Sequence, residues 1–215
     1  MLKFKLGCYK IHACPNDCIL YRGEYENLDA CPICSALRYK IRKDDPGDVE
    51  GEPPQKRVPA KVMWYSPIIP RLKCLFRNKD NAKLMQWHKE ERKQDSMLRH
   101  PADRSQWGKI DRTYTDFALD ARNIRFGLST DGMNPFGEMS SGHNTWPVTL
   151  CIYNLPPWLC MKRKFIMMPI LIPGPKQPEN DIDVYLRPLV EELLLLWRKE
   201  GVRMWDEYKQ EDFNL

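Results

Sequence analysis

No stretch of this 215-residue chain approaches the roughly 18 consecutive apolar residues of a membrane-spanning helix. The most apolar run, around Leu193 to Trp197, is short and flanked by charge. The opening residues, MLKFKLGCYK, lack an apolar h-region followed by a small-residue cleavage site, so no secretory signal is expected. With no secretory signal expected, clustered cysteines are read as metal ligands rather than disulfide partners. No internal repeat is evident.

What is present suits a globular chain: 42% hydrophobic and 29% charged residues, in a length that holds one or two domains with a real core. The net charge of +5 is unevenly placed. Residues 1–35 balance 4 basic against 4 acidic side chains, residues 36–109 carry 18 against 10, and residues 110–215 carry 12 against 15. The basic middle is the electrostatic footprint of a phosphate-binding surface, and equally that of a solvated helical face.

Eight cysteines are present, and four of them are clustered. Cys14-Pro-Asn-Asp-Cys18 and Cys31-Pro-Ile-Cys34 are a C-x3-C and a C-x2-C pair separated by 12 residues. Two such knuckles let four thiolates converge tetrahedrally on one Zn²⁺, a closed structural site that holds together a segment too small for its own core. His12 and Cys8 are weaker candidates as substitute ligands. The intervening ILYRGEYENLDA can form a short hairpin around Arg22-Gly23.

Residues 1–41 therefore read as a zinc knuckle, and residues 42–60, rich in Pro, Gly and charge, as a linker. Residues 61–122 read as a basic helical region, with Leu72, Leu75, Phe76, Leu84, Met85 and Trp87 near helical spacing. His88 and His100 are read as packing or hydrogen-bonding residues rather than metal ligands. Three β-rich apolar runs follow, IRFGLSTDGMNPF, TWPVTLCIYNL and KFIMMPILIPGP, and then a helix over 181–199. Its stripe of Leu186, Leu189, Val190, Leu193, Leu194 and Trp197 is expected to be buried. Asp181 and Asp183 are read as caps at its positive end, Glu191 and Glu192 as its polar face, and His143 as a loop residue.

The fold class is thus α+β, with three antiparallel neighbouring strands and a helix packed on one face. Three strands and then a helix, with an Asp in the first strand, is the order in which a ribonuclease-H-like core begins. The chain also resembles the transposases of CACTA-type (En/Spm-like) plant DNA transposons. The matching text runs in order as IHACPNDCILYRGEYENLDACPIC, IIPRLKCLF, AKLMQWH, MLRHPADRSQW, DARNIRFGLSTDGMNPFG, TWPVTLCIYNLPPWLCMK and GPKQPENDIDVYLRPLVEELLLLW. It covers nearly the whole chain and departs at SALRY after Cys34, at Arg104 after HPAD and at Ser66 before Pro67, in loops more than at ligands. The resemblance implies that residues 123–215 are a truncated ribonuclease-H-like DDE/D catalytic core: strands one to three, the first helix and a β-hairpin in GVRMWDEYKQEDFNL. It also implies that a fourth strand with an Asp-x-Pro-Ala motif, and a second cysteine cluster, would lie beyond Leu215.

In that family the first-strand Asp binds catalytic metal, which here is Asp131. It ends its strand before a Gly-x-Asn-Pro turn that exposes the carboxylate at a rim, although Asp-Gly is also a common turn pair. Cleavage of DNA phosphodiesters on two Mg²⁺ ions, ~3.5–4 Å apart, needs several carboxylates. One carboxylate cannot hold two ions. The chain taken alone, expected to lack the second and third catalytic carboxylates, is therefore expected to be an inactive fragment of a cut-and-paste transposase. Its intact parent would act on transposon ends in the nucleus, with structural zinc, catalytic magnesium and no membrane partner. The alternative is a non-catalytic zinc-containing DNA- or protein-binding module, and the two readings differ on Asp131. A weaker third reading makes Asp131 only a turn residue.

Overall fold

The sheet begins much earlier in the chain than the hydrophobic pattern indicates. A computed structural model describes residues 7–41, 57–134, 144–174, 178 and 181–215. In it, Tyr9–Ala13 (β1) pairs antiparallel with Lys61–Tyr65 (β2), with Ile11 opposite Met63. The segment KVMWY opens the stretch expected to be helical, and it is a strand instead. Val62 is β-branched and Trp64 and Tyr65 are aromatic, types that favour strands, and burial alternates: Met63 and Tyr65 are buried while Trp64 is exposed. Partners on both edges complete the override of local propensity.

The three strands expected further on are present, as Phe126–Thr130 (β3), Trp146–Ile152 (β4) and Met167–Ile172 (β5). They are antiparallel neighbours, and β5 also pairs with β2, giving one five-stranded sheet in the order β1-β2-β5-β4-β3. Strands from the cysteine segment, the basic middle and the C-terminal segment therefore share one sheet. Among the described residues, β3 has a partner on one edge only.

The basic middle supplies Ile68–Phe76 (α1), Lys79–Leu84 (α2), Trp87–Glu90 (α3), Ser105–Thr113 (α4) and Thr115–Leu119 (α5). In α1, residues Ile68, Leu72 and Phe76 lie four apart on one face and are fully buried. Pro157–Cys160 (α6) bridges β4 and β5, and Ile182–Trp197 (α7) packs on β5 and α1. The expected hairpin is Arg203–Asp206 (β6) with Glu211–Asn214 (β7). The core is built from Met63, Ile68, Leu72, Phe76, Leu150, Ile152, Met167, Ile170, Ile172 and Tyr185, all under 2% exposed or at that limit.

The buried face of α7 is rotated from the expected stripe. Tyr185, Pro188 and Leu189 are buried, and Leu186 and Leu193 are half-buried, while Val190, Leu194 and Trp197 are exposed. The physical reason is that the sheet and α1 contact only a narrow stripe. The neighbouring apolar stripe faces an open cleft of about 940 Å³ bounded by β3, β4 and the C-terminal residues. Of the expected linker, residues 42–56 lie outside the described residues. Its end is tied back: Lys40 donates to the Val58 carbonyl at 2.9 Å and Ala60 to the Arg38 carbonyl at 2.8 Å.

Candidate functional site

The cysteine pairs sit at two tight turns of like construction. The bridge Ala13–Leu20 encloses Cys14 and Cys18, and the bridge Ala30–Leu37 encloses Cys31 and Cys34. The segment between them forms a short 3-10 turn at Gly23–Tyr25, in place of the expected hairpin around Arg22-Gly23. Gly23 takes φ +56°, the left-handed region open to glycine. All four thiol sulfurs lie within 4.8 Å of one another, and none is in a disulfide. A tetrahedron of sulfurs with bonds of about 2.3 Å to a central zinc has edges of about 3.8 Å, so the cluster could hold a metal ion and is compatible with structural zinc.

The electrostatics of the turns favour anionic sulfur at Cys34 and oppose it at Cys14 and Cys18, whose thiols burial pushes up, that of Cys18 to about 12. The Asn16 amide points at Cys14 Sγ and its side-chain nitrogen at Cys34 Sγ, each at 3.4 Å. The Ala36 amide, above all, lowers the Cys34 thiol to about 6, whereas burial raises that of Cys14. Four thiolates this close repel one another unless a cation sits among them. Neither substitute ligand joins the cluster. His12 Nδ1 accepts a hydrogen bond from Arg38 Nε at 2.9 Å, and Cys8 is exposed on the approach to β1.

The knuckle is fastened to the sheet through its tip. Asp17 has φ +61°, a left-handed conformation that Asp tolerates better than most residues. Its carboxylate thereby reaches Lys61 Nζ at 2.5 Å and the hydroxyl of buried Tyr185 on α7. Arg22 makes a two-pronged contact with Glu191 at 3.0 and 2.6 Å. Glu192 accepts from the Tyr65 hydroxyl and from the Ile68 amide at the start of α1. Glu191 and Glu192 are thus anchors between elements, not a solvated polar face. Sequence reasoning did not find these partners because they lie 120 or more residues away. The Asn-Asp pair in the knuckle tip was the one signal of a left-handed turn.

Asp131 follows the last residue of β3 and is exposed at the sheet rim, as the sequence indicates. Its carboxylate accepts the Gly132 amide at 2.8 Å. Gly132 lies under the Trp146 ring, where a Cβ would come within 2.7 Å of it. Trp146 Nε1 donates to Thr130 Oγ1 at 2.6 Å, and Met133 and Thr145 exchange backbone hydrogen bonds at 2.8 Å. The turn is therefore pinned to β4. Among the described residues, the four cysteines are the one group of three or more potential metal ligands. Among the described residues, the structure does not bring a second and third carboxylate to Asp131.

The remaining candidates have structural partners. His88 and His100 are buried among Trp87, Trp107 and Tyr153. His100 Nδ1 accepts the Ala102 amide while Asp103 accepts the His100 amide, a reciprocal cap on the turn that follows. Asp181 precedes α7, but its side chain makes no capping hydrogen bond; its own amide donates to the Pro178 carbonyl. Asp183 lies in the first turn, where its charge favours the helix dipole. His143 lies outside the described residues.

The model of the transposase family tnp2 matches residues 95–215, a span that includes Asp131, β3 to β5, α7 and the hairpin. No curated protein and no solved structure matches the chain.

Proposed function

The chain belongs to the tnp2 transposase family, and from that premise we propose that it forms part of a DNA-cleaving and DNA-joining machine of the CACTA (En/Spm-like) type. The observation that carries this reading is the family match across the segment that places Asp131 at the rim of the sheet. Three antiparallel strands followed by a packed helix support a ribonuclease-H-like core. In this reading Asp131 is the first carboxylate ligand of the catalytic metal, and DNA as substrate makes the nucleus the place of work. Magnesium would supply Lewis-acid stabilisation at the scissile phosphodiester. Asp131 by itself does not make that site. The free edge of β3 is the natural place for another strand to bring further carboxylates beside it. The four cysteines would hold structural zinc, whose role is to fold the knuckle and fix β1 in the sheet.

The second reading is a DNA-binding module without chemistry, favoured by the absence of other carboxylates around Asp131 among the described residues. The test is magnesium-dependent nicking of supercoiled plasmid by the chain extended through its downstream reading frame, as wild type and as Asp131→Asn, with DNA affinity measured alongside. Nicking lost in the variant at unchanged affinity supports catalysis. Binding without nicking in either protein moves the assignment to the module, and no binding at all removes both.

A further inference from the structure

We propose that the cleft bounded by α4, α5 and the start of β3 receives an unstacked nucleobase of the DNA strand on which Asp131 acts. This rests on the reading of the chain as a DNA-processing protein and adds to it a binding site and a ligand class.

The cleft has a volume of about 720 Å³, within the roughly 300–1,000 Å³ of pockets that take small planar ligands. Trp107, Tyr114, Phe117, Tyr153 and Trp197 supply its aromatic faces. Arg99, Arg104 and Arg125 supply its charge, and among the described residues no carboxylate lines it. Arg99 and Arg125 are paired with Asp95 and Asp111 outside the lining, and Arg104 is exposed at the mouth.

The aromatic groups are arranged for stacking. The Arg125 guanidinium already lies over Trp107, 3.9 Å from the ring centroid, so the cleft wall is built on a planar cation–aromatic stack. Across the mouth, Trp197 meets Tyr114 edge-on at 5.3 Å and Phe117 at 5.6 Å. Tyr114 and Trp197 remain 48% and 57% exposed. Large rings held in solvent beside arginine side chains, with Arg104 exposed at the mouth, match a ligand with a π face and flanking phosphates. Base-on-aromatic stacking with arginine is how sequence-tolerant sites hold single strands.

The placement also fits. Phe126, the first residue of β3, lines the cleft, and Asp131 follows five residues later along the strand. At roughly 3.4 Å per residue the two are about 17 Å apart, a few nucleotides along a DNA strand. A paired base cannot enter such a cleft, so the occupant is a flipped base or one in a single strand, where unstacking costs least.

The experiment is fluorescence anisotropy with a labelled single-stranded oligothymidine and a blunt duplex of the same length. The proteins are wild type, Tyr114→Ala/Trp197→Ala and Tyr114→Phe/Trp197→Phe. Both positions are exposed, and the Phe pair keeps the π faces. The expected result is a loss of single-strand affinity of roughly tenfold or more in the Ala pair, its recovery in the Phe pair, and duplex affinity unchanged in both. Unchanged single-strand affinity overturns the proposal, as does an equal loss for single strand and duplex. A change in sedimentation without a change in DNA affinity overturns it in favour of a protein-facing surface. Single-strand binding that depends on the aromatic pair while nicking is absent leaves the cleft standing and removes only the catalytic reading. No DNA binding by the wild type removes both.

Discussion

Glu192 closes the N-terminus of a helix far away in sequence: its carboxylate accepts the Ile68 amide at 2.8 Å. The start of α1 has Pro67 before it and no side-chain cap of its own. Its free amides therefore need a partner, and α7 supplies one. The same carboxylate accepts the Tyr65 hydroxyl at 2.5 Å, and burial together with this bond raises the Tyr65 pKa. Glu192→Ala removes the cap and leaves the Tyr65 hydroxyl with the Pro188 carbonyl, 3.1 Å away, as its acceptor, for an expected loss of about 1–2 kcal/mol. The urea midpoint should fall at constant m-value. A midpoint equal to wild type would show that the bridge contributes nothing.

The knuckle and the sheet are expected to loosen together. Purified protein should carry about one zinc per chain, and Cys31→Ser should abolish it. Because β1 continues directly into Cys14, chelation should speed amide exchange at Ile11 to Ala13. The β6–β7 hairpin, which shares no residue with the knuckle, should be unaffected. Equal protection of β1 with and without chelator would argue that the sheet holds that strand unaided.

His88 links stability to acid. Burial, with the charge of Arg125 adding to it, lowers its pKa to about 4. Below the unfolded value near 6.5 the unfolded chain takes up the proton first, so stability falls as pH drops from about 6.5 toward 4. The contribution between pH 6.5 and 5 is about 2 kcal/mol. His88→Gln should flatten this part of the profile. Taking the difference between the two proteins at each pH cancels the thiols' own titration. Parallel profiles for the two proteins would refute it.

Gly132→Ala should act on function more than on folding. A methyl group there must push the Trp146 ring off its site and weaken its bond to Thr130, so the near-UV signal of Trp146 should change. Any magnesium-dependent nicking should fall well before thermal stability does. A variant with a wild-type near-UV spectrum would show that the contact is slack.

The sequence made visible whatever depends on neighbours in the chain. The two cysteine pairs, the three runs that become β3, β4 and β5, and the exposed turn at Asp131 are local patterns, and each stands where its pattern puts it. What it hid depends on distant partners. KVMWY is short and runs into an apolar helical stretch, and it becomes β2 because β1 and β5 bracket it. Val190, Leu194 and Trp197 look like core until the placement of the sheet leaves them facing a cleft. Glu191 and Glu192 look solvated until Arg22 and the start of α1 arrive. For Asp131 the sequence supplied the position, and the structure supplies the pinning by Gly132 and Trp146.

The order of strands also bears on how the protein is made. Trp64 in β2 pairs with Leu171 in β5, 107 positions later. During synthesis the cysteine cluster and β1 are complete long before the strand that joins them to the rest of the sheet has left the ribosome. Over that interval β2 has one partner and one bare edge, and the core around Met63 and Tyr65 lacks the residues that β4, β5 and α7 later supply. Long-range pairing of this kind is slow and exposed to misassembly. A knuckle that loads its metal early would give the nascent chain one fixed point while the remainder emerges. Zinc supply during translation, rather than zinc in the buffer afterwards, would then decide the yield of folded protein.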